Sequence, residues 1–293
     1  MKLEDKIRSN IESFTGDSIV SASTIGGGCI SNSLKIKMNS GADYFLKVNF
    51  STPADMFFKE ANGLNELKKS NSLRVPQVIM AEKNFILLEL INQGNRVKNF
   101  YEDFGRGFAL MHRFTSNSFG FFEDNYIGSN KQINIPQKSA ENNWVKFYFN
   151  NRILYQLKLA EKNGYATSEL AAGVSKLEDK IEKILNETGE NPSLLHGDLW
   201  GGNYVVDELG KACLIDPAVY YGHREADLAM TKLFGGFGSE FYSAYNEAFP
   251  LAPGYEYRED LYKLYHILNH LNLFGRGYYQ QAISIINFYA NRF

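Results

Sequence analysis

The spacing of hydrophobic and polar positions changes character about a third of the way along the chain. Residues 3–14 set Leu3, Ile7, Ile11 and Phe14 three or four apart among charges, which predicts a short amphipathic helix. The period then shortens. Residues 19–23, 33–38 and 44–50 read as strands, the last two joined by a turn at Asn39-Ser40-Gly41. A helix opening at Pro53 and running to about Lys69 places Phe57, Ala61, Leu64 and Leu67 on one face. Residues 75–81 and 85–90 predict two more strands around Glu82-Lys83-Asn84. From Asn99 the pattern is helical over roughly 100–115, 138–163, 168–187, 224–234, 239–248 and 257–291, the last broken near Gly275 and Gly277. Strands interrupt it at 204–206 and 212–215, and 119–137, with Gly120, Gly128 and Pro136, reads as a long loop. The expectation is an α+β chain of two lobes, a β-rich one over 1–91 and a mainly helical one over 92–293, joined near 89–95.

Composition narrows the class. The 293 residues contain 31 Lys and Arg against 33 Asp and Glu, so no global basic field draws nucleic acid. Aromatic residues reach 14%, enough to fill large cores with Tyr hydroxyls toward the surface. Two cysteines, Cys29 and Cys213, make neither a disulfide framework nor a zinc site alone. The first residues lack the apolar segment of a secretory signal, and no apolar run reaches the ~18 residues of a membrane span. The expected compartment is the cytoplasm, without a membrane or nucleic-acid partner.

The chemistry concentrates at Leu195-His196-Gly197-Asp198-Leu199-Trp200-Gly201-Gly202-Asn203, followed by Tyr204-Val205-Val206 and Leu214-Ile215-Asp216-Pro217. Short apolar runs around Asp207, Glu208, Gly210 and Lys211 predict an antiparallel hairpin, whose outer ends are Asn203 and Asp216. An amide oxygen and a carboxylate facing one space suit Mg²⁺, with phosphate oxygens and waters completing its shell. Asp198 lies on a glycine-flanked loop that can curl over the same space. A lone D-x-x-x-x-N would equally make a turn; the flanking strands and the distant Asp216 give the string its specificity.

His196-Gly197-Asp198 with Asn203 and Asp216 resembles the catalytic and metal-binding segments of kinase-like small-molecule phosphotransferases, with Gly where protein kinases carry Arg after the His. Within that group, the string 195–203, the string 215–230, Gly26-Gly27-Gly28-Cys29-Ile30-Ser31-Asn32, residues 56–61 and Asp124-Asn125-Tyr126-Ile127-Gly128 are similar to the fructosamine kinase family across nearly the whole chain. Gly201 stands where the family often has Ser, and Val219 is a variable place; neither touches an inferred ligand or base. The resemblance implies a bilobal protein-kinase-like fold and ATP-dependent, Mg²⁺-supported phosphorylation of a ketosamine at the sugar 3-hydroxyl. The acceptor would be a small molecule or a glycated amine on a protein, and the outcome deglycation. Alternatives are a kinase for an aminoglycoside, choline or a related small molecule, or a non-catalytic kinase-like binding module.

The resemblance also distributes roles. Asp198 would be the general base, and Asn203 and Asp216 the metal ligands. Gly26 to Asn32 would cover the phosphates with backbone N–H groups, although a triple glycine alone equally makes a flexible hairpin. Glu60 falls on the apolar side of its helix and wants a partner, and Lys47, in an apolar strand, is the candidate that the resemblance assigns. Glu89, Leu90 and Ile91 would hold adenine through backbone groups. His196 reads as a structural brace, and Asp227 as an acceptor of backbone N–H groups from a helix start or the catalytic loop. His223, Arg224 and Glu225 are either surface polar residues or part of the acceptor pocket. Trp200 is either an apolar anchor or an acceptor contact. Cys213 reads as core filler, and Cys29 as either an inert loop thiol or one activated by neighbouring N–H groups.

Overall fold

The computed structural model describes residues 3–25, 32–185 and 189–292. Helix α1 (Asp5–Thr15) turns Ile7 and Ile11 inward and stops at Gly16, whose φ of 67° provides the left-handed cap that side-chain-bearing residues resist. Strands β1 (Ile19–Thr24), β2 (Asn32–Met38), β3 (Asp43–Val48), β4 (Val78–Glu82) and β5 (Phe85–Glu89) form one antiparallel sheet in the order β1-β2-β3-β5-β4. Helix α2 (Met56–Lys69) lies between β3 and β4 in sequence. Pro53 does not open it: the Pro53 carbonyl accepts the Met56 N–H at 3.1 Å, so the proline makes the turn that delivers the helix three residues later.

The two faces of the sheet enter different cores, as side-chain alternation along a strand requires. On one face Leu34, Ile36, Leu46, Val48, Phe85 and Leu87 pack with Leu3, Ile7 and Ile11 of α1. From the other, Ile86 and Leu88 join Phe57, Ala61, Leu64 and Leu67 of α2 in the large cluster that runs through the helical lobe. Helix α2 therefore belongs, by packing, with the C-terminal helices.

That lobe contains α3 (Phe100–His112), α4 (Trp144–Tyr148), α5 (Tyr155–Lys162), α6 (Ser168–Leu185), α7 (Glu225–Leu233), α8 (Ser239–Ala248), α9 (Tyr255–Phe274) and α10 (Tyr279–Ala290). Helices α3 and α8 meet at Gly105, where a Cβ would stand 2.2 Å from the Phe241 carbonyl oxygen. The long helix expected over 138–163 begins only at Trp144 and carries a π-helical turn at Phe149–Leu154. Just there the buried Arg152 reaches the Ile133 carbonyl at 2.6 Å and Asn134 Oδ1 at 2.8 Å. The stretch 119–137 is not a bare loop: it holds the hairpin β6 (Asn125–Ile127) and β7 (Asn130–Gln132), strands too short to display a period. Strand β8 (Ser193–Leu195) pairs with β11 (Tyr220–Gly222), an unforeseen pairing, while β9 (Tyr204–Val206) and β10 (Ala212–Leu214) form the expected hairpin. The break after α9 falls at Gly275, followed by a 3-10 turn at Arg276–Tyr278. Among the described residues no helix is long and apolar enough to cross a membrane.

Candidate active site

The hairpin register fixes the centre of the site. Leu214 lies opposite Tyr204, and the Ile215 N–H donates to the Asn203 carbonyl at 3.1 Å, so Asn203 and Asp216 emerge together from the open end. The Asn203 amide nitrogen donates to the Asp198 carbonyl at 2.7 Å and to Asp198 Oδ2 at 3.0 Å. Its amide protons are thus committed to the loop, which leaves Oδ1 as the group able to accept from, or ligate, something else. Asp216 sits at a φ of 55°, a left-handed conformation rare outside glycine but several-fold enriched in Asp.

Beneath this centre the loop is tied down by a buried carboxylate. Asp227, in the first turn of α7, accepts the His196 N–H at 2.6 Å and the Gly197 N–H at 2.8 Å. His112 Nε2 lies 3.2 Å from the same carboxylate, and His112 Nδ1 lies 2.7 Å from the Tyr245 hydroxyl. Burial lowers the His112 pKa, so we assign a neutral ring that donates from Nε2 and accepts at Nδ1. Burial pushes the Asp227 carboxyl up, but His112, His196 and the backbone N–H groups outweigh it and hold the group below the usual range. His196 is buried and also lowered by burial; its Nε2 faces the Ile215 carbonyl at 3.0 Å and its Nδ1 accepts the Asp198 N–H at 3.3 Å. It braces the loop. Gly197 is obligatory: with φ of 82°, an added Cβ would stand 1.9 Å from the Ala218 oxygen.

Asp198 has the opposite electrostatics. Burial pushes its carboxyl well above the usual range, Asp216 and Asp227 add repulsion, and only the Asn203 amide opposes them. Across the cleft, Lys47 of β3 donates to Glu60 of α2 at 2.6 Å and also to Asp216 Oδ1. Burial would lower the Lys47 ammonium; Asp216 and Glu60 overcome that and hold it above its ordinary value. Burial raises Glu60, with Lys47 pulling it back, and the short contact marks the pair as an ammonium with a carboxylate. One lysine thus joins the sheet, α2 and the hairpin end.

Other expected positions are distributed less simply. Asn32 begins β2 opposite Val48, whereas Gly26, Gly27, Gly28, Cys29, Ile30 and Ser31 lie outside the described residues. Glu89 closes β5 with its carboxylate turned to Arg74 at 2.6 Å and the Gln77 N–H at 3.0 Å; Leu90 and Ile91 follow it out of the sheet. Trp200 is 36% exposed and meets Phe234 edge-to-face at 5.6 Å. His223, Arg224 and Glu225 are not surface residues. Arg224 is 1% exposed, with its donors taken by Glu190, by the Phe249 and Pro250 carbonyls and by Tyr245, so it has none to offer an acceptor. Glu225 holds Arg258 through two bonds of 2.6 and 2.7 Å, and His223 stacks on Tyr262 at 5.8 Å. Cys213 is buried core filler, its thiol pushed up to about 12 by burial.

Two polar junctions were missed from sequence. Arg74 bridges Glu89, Asp207 at 2.9 Å and Glu208 at 2.8 Å, tying the end of β5 to the closed end of the β9–β10 hairpin. Glu123, from the stretch read as a loop, binds Lys59 and Asn62 of α2. The available signal was the polar stripe Lys59, Asn62 and Glu66 on a helix otherwise assigned to the core.

Comparison with known proteins gives the family and the fold. The fructosamine kinase family model matches residues 3–291. A chloroplastic protein-ribulosamine 3-kinase of Arabidopsis thaliana is 40% identical over 278 residues, covering 92% of this chain and 83% of the relative. The crystal structure of a fructosamine-3-kinase candidate from Thermobifida fusca superposes with a TM-score of 0.88 at 31% identity, covering 99% of this chain and all of that one. An ADP-bound aminoglycoside phosphotransferase has a TM-score of 0.64 at 13% identity over 99% of both chains, a likeness of fold.

Proposed function

This chain belongs to the fructosamine kinase family, and on that premise we propose that it transfers the γ-phosphoryl group of ATP to the 3-hydroxyl of a ketosamine, a fructosamine or ribulosamine. The phosphorylated adduct is less stable, so the reaction serves deglycation. The observation that carries the reading is Lys47, held between Glu60 and Asp216 and thereby placed between the two lobes.

Each residue has a task its surroundings support. Lys47 would bind the α- and β-phosphates, with Glu60 fixing its direction. Asp198 would orient the sugar hydroxyl and take its proton; the forces that raise its carboxyl also make it a stronger base than a solvated aspartate. Asn203 Oδ1 and the Asp216 carboxylate fit a hard cation as oxygen donors, and they would hold Mg²⁺, which when bound neutralises phosphate charge. Residues 26–32 would cover the phosphates, and Glu89 to Ile91 would meet adenine through the backbone. Exposed Trp200 is the acceptor contact in this reading. The division between lobes is taken at 91 and 92, and the compartment is the cytoplasm, although plant relatives are named as chloroplastic.

The test is phosphorylation of ribulosamine, fructosamine and aminoglycoside acceptors with Mg-ATP, with the product located by phosphorus and proton NMR. Phosphate on the 3-oxygen of a ketosamine is expected. Transfer to the aminoglycoside alone, or to none, would overturn the reading.

A further inference from the structure

Glu60 stands on α2, so whatever holds α2 holds Glu60. One face of that helix, spaced as Lys59, Asn62, Gly63 and Glu66, is fastened to the C-terminal lobe along its length. Lys59 Nζ donates to Glu123 Oε2 at 2.6 Å, and Asn62 Nδ2 to Glu123 Oε1 at 2.8 Å, so one carboxylate grips two successive turns. Below them the absence of a side chain at Gly63 admits Pro217 and Val219, whose carbons would lie 3.4 Å from a Cβ there. The Tyr221 hydroxyl donates to Glu66 at 2.8 Å and the Tyr126 hydroxyl to Asp55, just ahead of the helix, at 2.7 Å. Lys59 and Glu123 keep side-chain exposures of only 20% and 15%, which limits screening by solvent. The apolar side of α2 packs into the same large core.

We propose that Glu123 is a positioning residue for the nucleotide: by clamping Lys59 and Asn62 it fixes α2 to the C-terminal lobe and presets Glu60 to aim Lys47 before ATP arrives. Kinase-like folds can instead let this helix move, and here five contacts from β6, the 121–123 segment and the stretch after Asp216 oppose that movement. The proposal rests on the reading of Lys47 as the phosphate anchor.

ADP affinity by calorimetry with Mg²⁺, beside steady-state kinetics, tests it in Glu123→Gln, Lys59→Met and the exchange Lys59→Glu/Glu123→Lys, with Lys47→Met as the reference. Each single change at the clamp is expected to weaken ADP roughly tenfold, about the effect of losing one charge-assisted bond. KM for ATP should rise in parallel while KM for the acceptor stays put. The exchanged pair should regain most of the affinity. Lys59→Met carries the same test from the helix side should Glu123→Gln fail to fold. If Lys47→Met loses ADP affinity but the folded clamp variants keep it, or lose only kcat, Glu123 merely supports the fold and the proposal is overturned. An exchanged pair that folds yet binds no better than the weaker single variant overturns it also. If Lys47→Met itself binds ADP normally, the anchor reading falls, a result distinguishable from the first.

Discussion

Asp198 and Asp227 serve the same loop and are treated in opposite ways. Asp227 is met by two backbone N–H groups and an imidazole, and its carboxyl is held below the usual range. Asp198 is met by one amide and faces two other carboxylates, and its carboxyl is driven up. Asp227 is fully buried and Asp198 partly exposed, yet burial pushes both carboxyls up, so the difference is how fully the protein answers the charge. A buried carboxylate that is fully answered fastens structure. One left unanswered is held ready for a proton or a ligand, at a cost in stability.

The contrast breaks first at Asp198. Asp198→Asn is expected to slow phosphoryl transfer by about 10²–10⁴-fold while leaving ADP affinity nearly unchanged. Single-turnover rates with saturating ribulosamine, beside direct nucleotide binding, measure the two separately, and an unchanged rate would remove Asp198 from proton transfer. Asp227→Asn should instead cost about 3–5 kcal/mol of stability in chemical denaturation, because charge-assisted bonds to His196 and Gly197 are lost in a buried place. The sign with pH follows from its lowered carboxyl: the stabilisation is complete above the unfolded value near 4 and is lost as pH falls through the lower folded value, so wild type and variant converge in acid.

Asp216→Asn sharpens the comparison from the ligand side. It keeps an oxygen but removes the charge, so nucleotide binding should need roughly tenfold more free Mg²⁺, read by calorimetry at fixed ADP. A wild-type Mg²⁺ dependence would take Asp216 out of the metal role. The smallest effect expected is a gain: Asp198→Asn should raise stability at pH 7 by about 1 kcal/mol, since it removes a carboxylate whose charged form is disfavoured. The raised carboxyl makes that cost grow as pH rises from about 4 toward the folded value. The gain should therefore vanish near pH 3, and a variant less stable than wild type at pH 7 would contradict the electrostatics.

What sequence could convey tracks how local each signal is. The sheet strands and the inward face of α2 were legible because alternation and helical spacing report burial directly. So were Asn203 and Asp216, because a tight hairpin brings its ends together whatever surrounds it. The β6–β7 hairpin was hidden because three residues carry no period, and the π-helical turn because one extra residue per turn leaves the apolar pattern looking continuous. Strands β8 and β11 pair across 24 intervening positions, and neither announces the other. The same holds for side chains: Asp227 could be recognised as an acceptor of backbone bonds, whereas the partners of Arg74, Glu123 and Arg224 come from distant loops. Of the two readings of Arg224 and Glu225, the surface one fails because charge in sequence suggests solvent, and only the folded chain supplies Glu190 and Arg258 to neutralise them.

The sharing of one apolar core between α2 and the C-terminal helices bears on modularity. Recombining relatives by cutting at the end of β5 would carry Phe57, Ala61, Leu64 and Leu67 away from the residues they were selected against. Only the α1-facing side of the sheet has an interior of its own and can drift more freely, since Ile86 and Leu88 on the other side belong to the shared core. A workable chimera would have to move α2 together with the 121–127 segment and the strand after Asp216. The inheritable unit is then a packed layer drawn from both sides of the hinge, and it coincides with neither half of the polypeptide.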